Sequence, residues 1–251
     1  MSDFSYQLYS SRDAANLSDT LTMLARLGYS GVEGYGALFA DRSAVDSLVA
    51  DLKDSALKMP TAHMDIDMVE NQPDRVLKIA KAVGIKTVFV PFLLPDDRPT
   101  TAVGWRQFGE RLDAAGAPLR KASLGFGWHN HDFEFQPVST GEIPLDLILE
   151  VAPSLIWEAD IAWIVRGGSD PLDWIEKHGD RIAAVHVKDI AAEGQNTDED
   201  GWADVGEGIM DWPGIMKALR GKSVAHFIME HDNPSDDKRF AERSLKAARK
   251  F

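Results

Sequence analysis

The chain has 251 residues, 44% of them hydrophobic, and a formal net charge of −13. That length suits one large domain with ample core, and the absence of cysteine removes disulfides, thiolate metal sites and a cysteine nucleophile, leaving His, Asp and Glu to hold any metal. The acidic balance argues against a nucleic-acid partner, and no apolar run approaches the roughly 18 residues needed to span a membrane.

Short β-rich runs alternate with helix-period segments along the whole chain. The opening MSDFSYQLYS shows no basic segment followed by an apolar one, so a secretory signal is not expected and the reading is cytoplasmic. The first strand spans Phe4 to Tyr9, and its helix stops at Gly28. GVEGYG near Val32 is the second strand, followed by a helix from about Ser43 to Leu57. MPTAHMD around Thr61 is the third, with a helix ending at Gly84. The continuous apolar run Thr87 to Phe92 fits a strand buried on both faces. A helix from about Thr101 to Lys121 leads into the fifth strand, LGFGWHNH. A short helix, Leu145 to Val151, precedes LIWEAD, and Pro171 starts a helix reaching Gly179. AAVHVKD is the seventh strand. A polar loop, AAEGQNTDEDGWADVGEG, precedes a helix from Trp212; AHFIMEHD is the eighth strand, and a charged helix closes the chain.

Eight strand–helix units without a compositional break predict a single (β/α)₈ TIM barrel over residues 1–251. Each parallel strand needs a helical crossover, and eight of them close the sheet and remove its edges. The rival, an open doubly wound sheet, calls for a Gly-rich phosphate turn after its first strand, and YQLYSSRDA has none.

Polar residues gather at one end of these strands. His63 ends strand three; His129, His131 and Glu134 lie at and beyond the end of strand five. Asp160 ends strand six, His186 and Lys188 end strand seven, and Glu230 ends strand eight. In a barrel these ends converge on one mouth, where active sites form. Taken singly, Asp160 reads as a turn cap, His186 as a satisfied core histidine, and Glu134, between Phe133 and Phe135, as a solvated edge. Glu230 follows three apolar residues, where a carboxylate is costly unless paired or metal-bound. Together, Glu134, Asp160, His186 and Glu230 offer oxygen donors and one imidazole, a set suited to one divalent ion, Mn²⁺ first, with Mg²⁺, Co²⁺ or Zn²⁺ as alternatives. Trp128, Trp163, Trp202 and Trp212 lie near mouth-side elements, where rings can pack on the C–H faces of sugars.

QLYS, GVEGYG, HNHDFEF, ADIAWIVRGG, DPLDWI, RIAAVHVKD, VGEGIMDW and IMEHDNP together resemble the xylose-isomerase-like barrel superfamily of sugar phosphate isomerases and epimerases. The resemblance implies metal ligands Glu134, Asp160, His186 and Glu230. Relatives carry Glu-Asn-His on strand five where this chain has His129-Asn130-His131, so either Glu134 reaches back to the ion or His129 replaces it; the expectation is Glu134. It further implies proton transfer by Glu134 and Glu230 through a metal-stabilised enediolate of a keto-sugar or polyol. His63, His129, His131, Arg166 and Lys188 would contact substrate, and a lyase acting on 3-keto sugars, glycosides or inososes, or a non-catalytic sugar-binding barrel, are the alternatives. A homo-oligomer is the assembly the resemblance implies.

Overall fold

The structure, a computed structural model, describes residues 3–251. Eight parallel strands close into a barrel: β1 (Phe4–Gln7), β2 (Gly31–Gly34), β3 (Lys58–His63), β4 (Thr87–Val90), β5 (Gly125–His129), β6 (Ile156–Asp160), β7 (Ile182–Val187) and β10 (His226–Met229). Around the barrel the order is β1-β10-β7-β6-β5-β4-β3-β2, so neighbours in the chain are neighbours in the sheet. The single TIM-barrel domain expected from the alternation is the fold observed.

Local chemistry sets the helix ends. Asn16 caps α1 (Leu17–Leu27) by accepting from the Ser18 N–H, and Gly28 ends it at φ 94°, a left-handed conformation glycine takes without strain. The segment read as one helix before Gly84 is two, Ile66–Asn71 and Pro73–Val83, because Pro73 starts a new helix and cannot continue the old one. Thr101 caps the long helix Ala102–Lys121. The outer helices pack on the outward faces of the strands, burying Trp128, Trp157 and Trp212 completely.

Alternation along each strand turns the other side chains into the barrel. Its lower interior is filled by Phe89, Ala184 and Ile228 with Ile156 against them. Gly127 leaves room for this packing: a Cβ there would lie 2.4 Å from the Ile156 carbonyl and 2.7 Å from the Phe89 ring. Above this apolar plug the inward positions become polar, and that change defines the site.

The polar loop after β7 contains a two-stranded antiparallel hairpin, β8 (Asp189–Ile190) with β9 (Trp202–Ala203), which the sequence reading did not include. The Asp189 carboxylate anchors it by accepting from the N–H groups of Ile190, Gly206 and Met210 at 2.8–3.1 Å. Among the described residues no helix is long and apolar enough to cross a membrane.

Candidate active site

Four inward residues at the strand ends converge. His129, Asp160, His186 and Glu230 each present a ligand atom, all within 4.8 Å of one another, and all four side chains are buried. Hydrogen bonds hold them in place. Asn130 faces the other way from β5 and clasps Asp160: its Oδ1 accepts from the Asp160 N–H and the Trp157 indole, and its Nδ2 donates to the Asp160 carbonyl. The Asp160 Oδ1 accepts from the Trp163 N–H, which leaves Oδ2 free to face the cluster. His186 Nε2 lies 2.7 Å from Glu33 Oε1 and its Nδ1 2.8 Å from Glu230 Oε2. A proton on Nε2 given to Glu33 leaves the Nδ1 lone pair aimed between Asp160 and Glu230, the arrangement in which a carboxylate orients a metal-binding histidine.

The cluster is strongly anionic for a buried place. Burial opposes charge on His186, but Glu230, Glu158 and Glu33 outweigh it and raise its pKa well above the ordinary value. That same field attracts a dication. Lys188, wholly buried, donates to Glu230 Oε2 at 3.1 Å and Asp160 Oδ2 at 3.4 Å, and pairs with Asp232 at 2.7 Å. Its ammonium also lies over the Trp202 and Trp163 rings, at 4.4 and 5.2 Å.

Glu134 is not brought into this group. Beyond the end of β5 at His129 the chain makes a short 3₁₀ turn, Phe133–Phe135, which tucks the carboxylate against the Trp128 side of β5. There Oε1 accepts from the Trp128 indole at 2.8 Å and Oε2 from the His131 N–H at 3.0 Å. Burial pushes its pKa up to about 8 against these donors. Of the two strand-five candidates, His129 is the one whose imidazole joins Asp160, His186 and Glu230.

A cavity of about 680 Å³ opens above the cluster, walled by Tyr9, Tyr35, Phe92 and Trp163, and reaching His129 and Glu230 at its floor. His131 and His63 line it as well. His131 stacks near Phe133 and Trp163, and burial, with the Lys188 charge nearby, lowers its pKa to about 3, so it is a neutral imidazole. This is an apolar-walled pocket with a few convergent polar groups.

The family model describing the xylose isomerase-like TIM barrel matches residues 21–251. The chain belongs to that family. No curated protein matches it. Among solved structures it is similar to a sugar phosphate isomerase/epimerase from Parabacteroides distasonis ATCC 8503, at 20% identity and TM-score 0.82 over 98% of this chain and 94% of that one. It is also similar to the probable 3-DHS dehydratase AsbF of Bacillus anthracis, at 16% identity and TM-score 0.73 over 98% of each chain. A third is the IOLI protein with a bound zinc atom, at 16% identity and TM-score 0.73 over 99% of this chain and 96% of that one. At these identities the likeness establishes the shared barrel.

In this xylose isomerase-like barrel the remaining sequence candidates fall into distinct places. Arg166 sits on the rim, with its guanidinium 3.2 Å from the Trp202 ring centre and donating to the Asp200 carbonyl at 2.7 Å. Of the four tryptophans considered as sugar platforms, Trp163 and Trp202 line the cavity, while Trp128 and Trp212 are core. His63 lies lower, its Nε2 2.6 Å from Glu158 Oε2 and 3.3 Å from Glu33 Oε1. Glu33 and Glu158 are both fully buried inside the barrel. Glu33 Oε1 accepts from the Gln7 amide at 2.8 Å and lies 2.7 Å from His186 Nε2, a supporting role for the histidine. Glu158 shares strand parity with Asp160, two residues on, which was the available signal that it points inward. Arg98, over the Phe133 ring at 3.7 Å, and Asp232, paired with Lys188, are cavity residues that no sequence pattern singled out.

Proposed function

We propose that this chain is a divalent-metal-dependent isomerase or epimerase of a keto-sugar or related polyol. The observation that carries the reading is the buried His129–Asp160–His186–Glu230 cluster at the floor of a sugar-sized, aromatic-walled cavity. The donor chemistry fits a dication: two imidazoles and two carboxylates, with an anionic surplus that is costly to bury uncompensated. With His129 in place of Glu134 the imidazole share doubles, which moves the preference from Mn²⁺ toward Zn²⁺ and Co²⁺. Such an ion, when bound, polarises a carbonyl and an adjacent hydroxyl and acidifies the C–H between them.

The chain's own groups supply the proton positions. The Lys188 charge, donating to Glu230 Oε2 at 3.1 Å, opposes the effect of burial and keeps Glu230 an ionised acceptor reaching the cavity. His131, which lines the cavity from just beyond β5, three strands away around the barrel, takes the place of Glu134 as the second proton-handling group. Lys188 sets a positive charge behind the reacting oxygens without leaving its carboxylates. Trp163, Trp202 and Phe92 exclude water and pack on C–H faces. Proton return to the neighbouring carbon gives isomerisation, and return to the opposite face gives epimerisation. Loss of a β-substituent gives a lyase, the second reading, which the similarity to a probable dehydratase supports.

The test is proton NMR of keto-sugars and inososes in D₂O with metal-loaded protein. Deuterium entering the carbon next to the carbonyl, with all substituents retained and Glu230→Gln inactive, supports the proposal. Elimination would favour the lyase. Metal-loaded protein that exchanges no C–H across such a panel would overturn the enzyme reading.

A further inference from the structure

We infer that a groove beside the mouth, at the ends of β2, β3 and β4, receives a second ring joined to the sugar in the cavity, so that the substrate is a neutral two-ring glycoside. This rests on the reading of the mouth as a keto-sugar site. The groove, about 900 Å³, is formed by the segments that follow these three strands, with Phe39, Asp65, Met68, Leu94 and Asp97 among its walls. In a barrel such segments belong to the same face as the active site. Gly36 and Phe92 line both the groove and the mouth cavity, so the two spaces meet at these residues. The mouth cavity alone, at about 680 Å³, falls within the roughly 300–1,000 Å³ that houses a small ligand. A ring seated at its floor stays within it, and only a substituent carried past Gly36 reaches the groove.

Two observations at the junction support a passage. A Cβ on Gly36 would touch only Asp65 Oδ2, at 3.8 Å, and the backbone there is not left-handed. Neither packing nor conformation calls for glycine at this position, and what the missing side chain provides is clearance between the two spaces. Phe92, the aromatic that both spaces share, is 40% exposed, and Leu94 on the groove is 64% exposed. Exposed apolar groups at such a junction offer the C–H faces of a sugar a surface to pack on.

Charge selects a neutral occupant. The two arginines of the groove are already engaged. Arg75 donates to the carbonyls of Phe39 and Ala40 at 2.8 and 2.6 Å, and Arg111 holds Glu70 and Asp67 at 2.7 and 3.1 Å. Asp65 precedes the helix Ile66–Asn71 without capping it, and its carboxylate and that of Asp97 line the groove. An ionised carboxylate only accepts, which suits sugar hydroxyls, whereas a phosphate or carboxylate on the second unit would be repelled.

The experiment is equilibrium titration of the metal-loaded full chain, followed by tryptophan fluorescence, with 3-ketoglucose as the one-ring probe. The two-ring probes are the 3-keto forms of cellobiose, maltose and trehalose. At least one of these should bind tenfold or more tighter than 3-ketoglucose. Gly36→Leu fills the passage, and Asn71→Trp crowds the groove from an exposed position, so each should bring that ratio close to one. Gly36→Ala, whose methyl has room, should keep most of it. A wild type that binds no two-ring sugar better than 3-ketoglucose, or a preference that survives both bulky substitutions in folded protein, overturns the groove. Binding of 3-ketoglucose without C–H exchange sinks the isomerase reading, while the ratio still decides the groove. A chain that binds none of the four sugars overturns both.

Discussion

Replacing Glu134 by Gln separates a structural carboxyl from a metal ligand. In the structure both its oxygens accept, one from the Trp128 indole and one from the His131 N–H, and the side chain is fully buried. An acid hydroxyl still accepts through its lone pairs, whereas an amide NH₂ cannot, so the substitution sets two donors against each other at one of these contacts. Leaving one buried donor without an acceptor costs about 1–3 kcal/mol. For a chain of this size that corresponds to a melting temperature lower by roughly 3–10 °C. Urea denaturation measures the stability, and calorimetric titration with Zn²⁺ measures the metal affinity. The expected outcome is a less stable protein with unchanged affinity. A tenfold or greater loss of affinity with stability preserved would show that Glu134 swings back to the ion, and the reasoning about His129 would fall.

Other consequences follow from the same contacts. Burial raises Glu134 to about 8, above its unfolded value near 4.3, so the folded state keeps a proton the unfolded chain has released. Its contribution is therefore full below about pH 4.3 and lost as pH rises toward 8, by up to about 1.4 kcal/mol per unit; Glu134→Gln should flatten the stability–pH slope over that window, and an identical slope would refute the assignment. Lys188→Met removes a positive charge 3.1 Å from Glu230 and 3.4 Å from Asp160, so divalent-ion affinity should rise at least tenfold while turnover falls; weaker ion binding in a folded variant would contradict this. Asp189→Ala removes the acceptor of three N–H groups that pin the hairpin carrying Trp202. Limited proteolysis should then cut within residues 191–201 and KM should rise, whereas a resistant loop would show that the hairpin holds without it.

Much of the barrel and its mouth was legible because the physics is periodic. Asp160, His186 and Glu230 each end an apolar run with inward parity, and a buried carboxylate or imidazole in that position demands a partner. Glu134 falls outside the cluster because the strand stops at His129 and a 3₁₀ turn, invisible to alternation, directs the carboxylate toward the Trp128 indole. Glu158 was passed over for the opposite reason. It sits mid-strand between apolar neighbours, and only the closed barrel reveals that its inward face meets His63 across the interior. The hairpin escaped because strands of two residues inside an Asp- and Gly-rich loop leave no pattern, their register being fixed by the Asp189 carboxylate instead.

An anomalous difference map from crystals grown with Zn²⁺ tests the central claim most directly. The account predicts a peak at the floor of the cavity, about 2.0–2.2 Å from donor atoms of Asp160, His186 and Glu230. Well-ordered crystals at saturating Zn²⁺ with no peak there, or with the ion seated on Glu134, would contradict it.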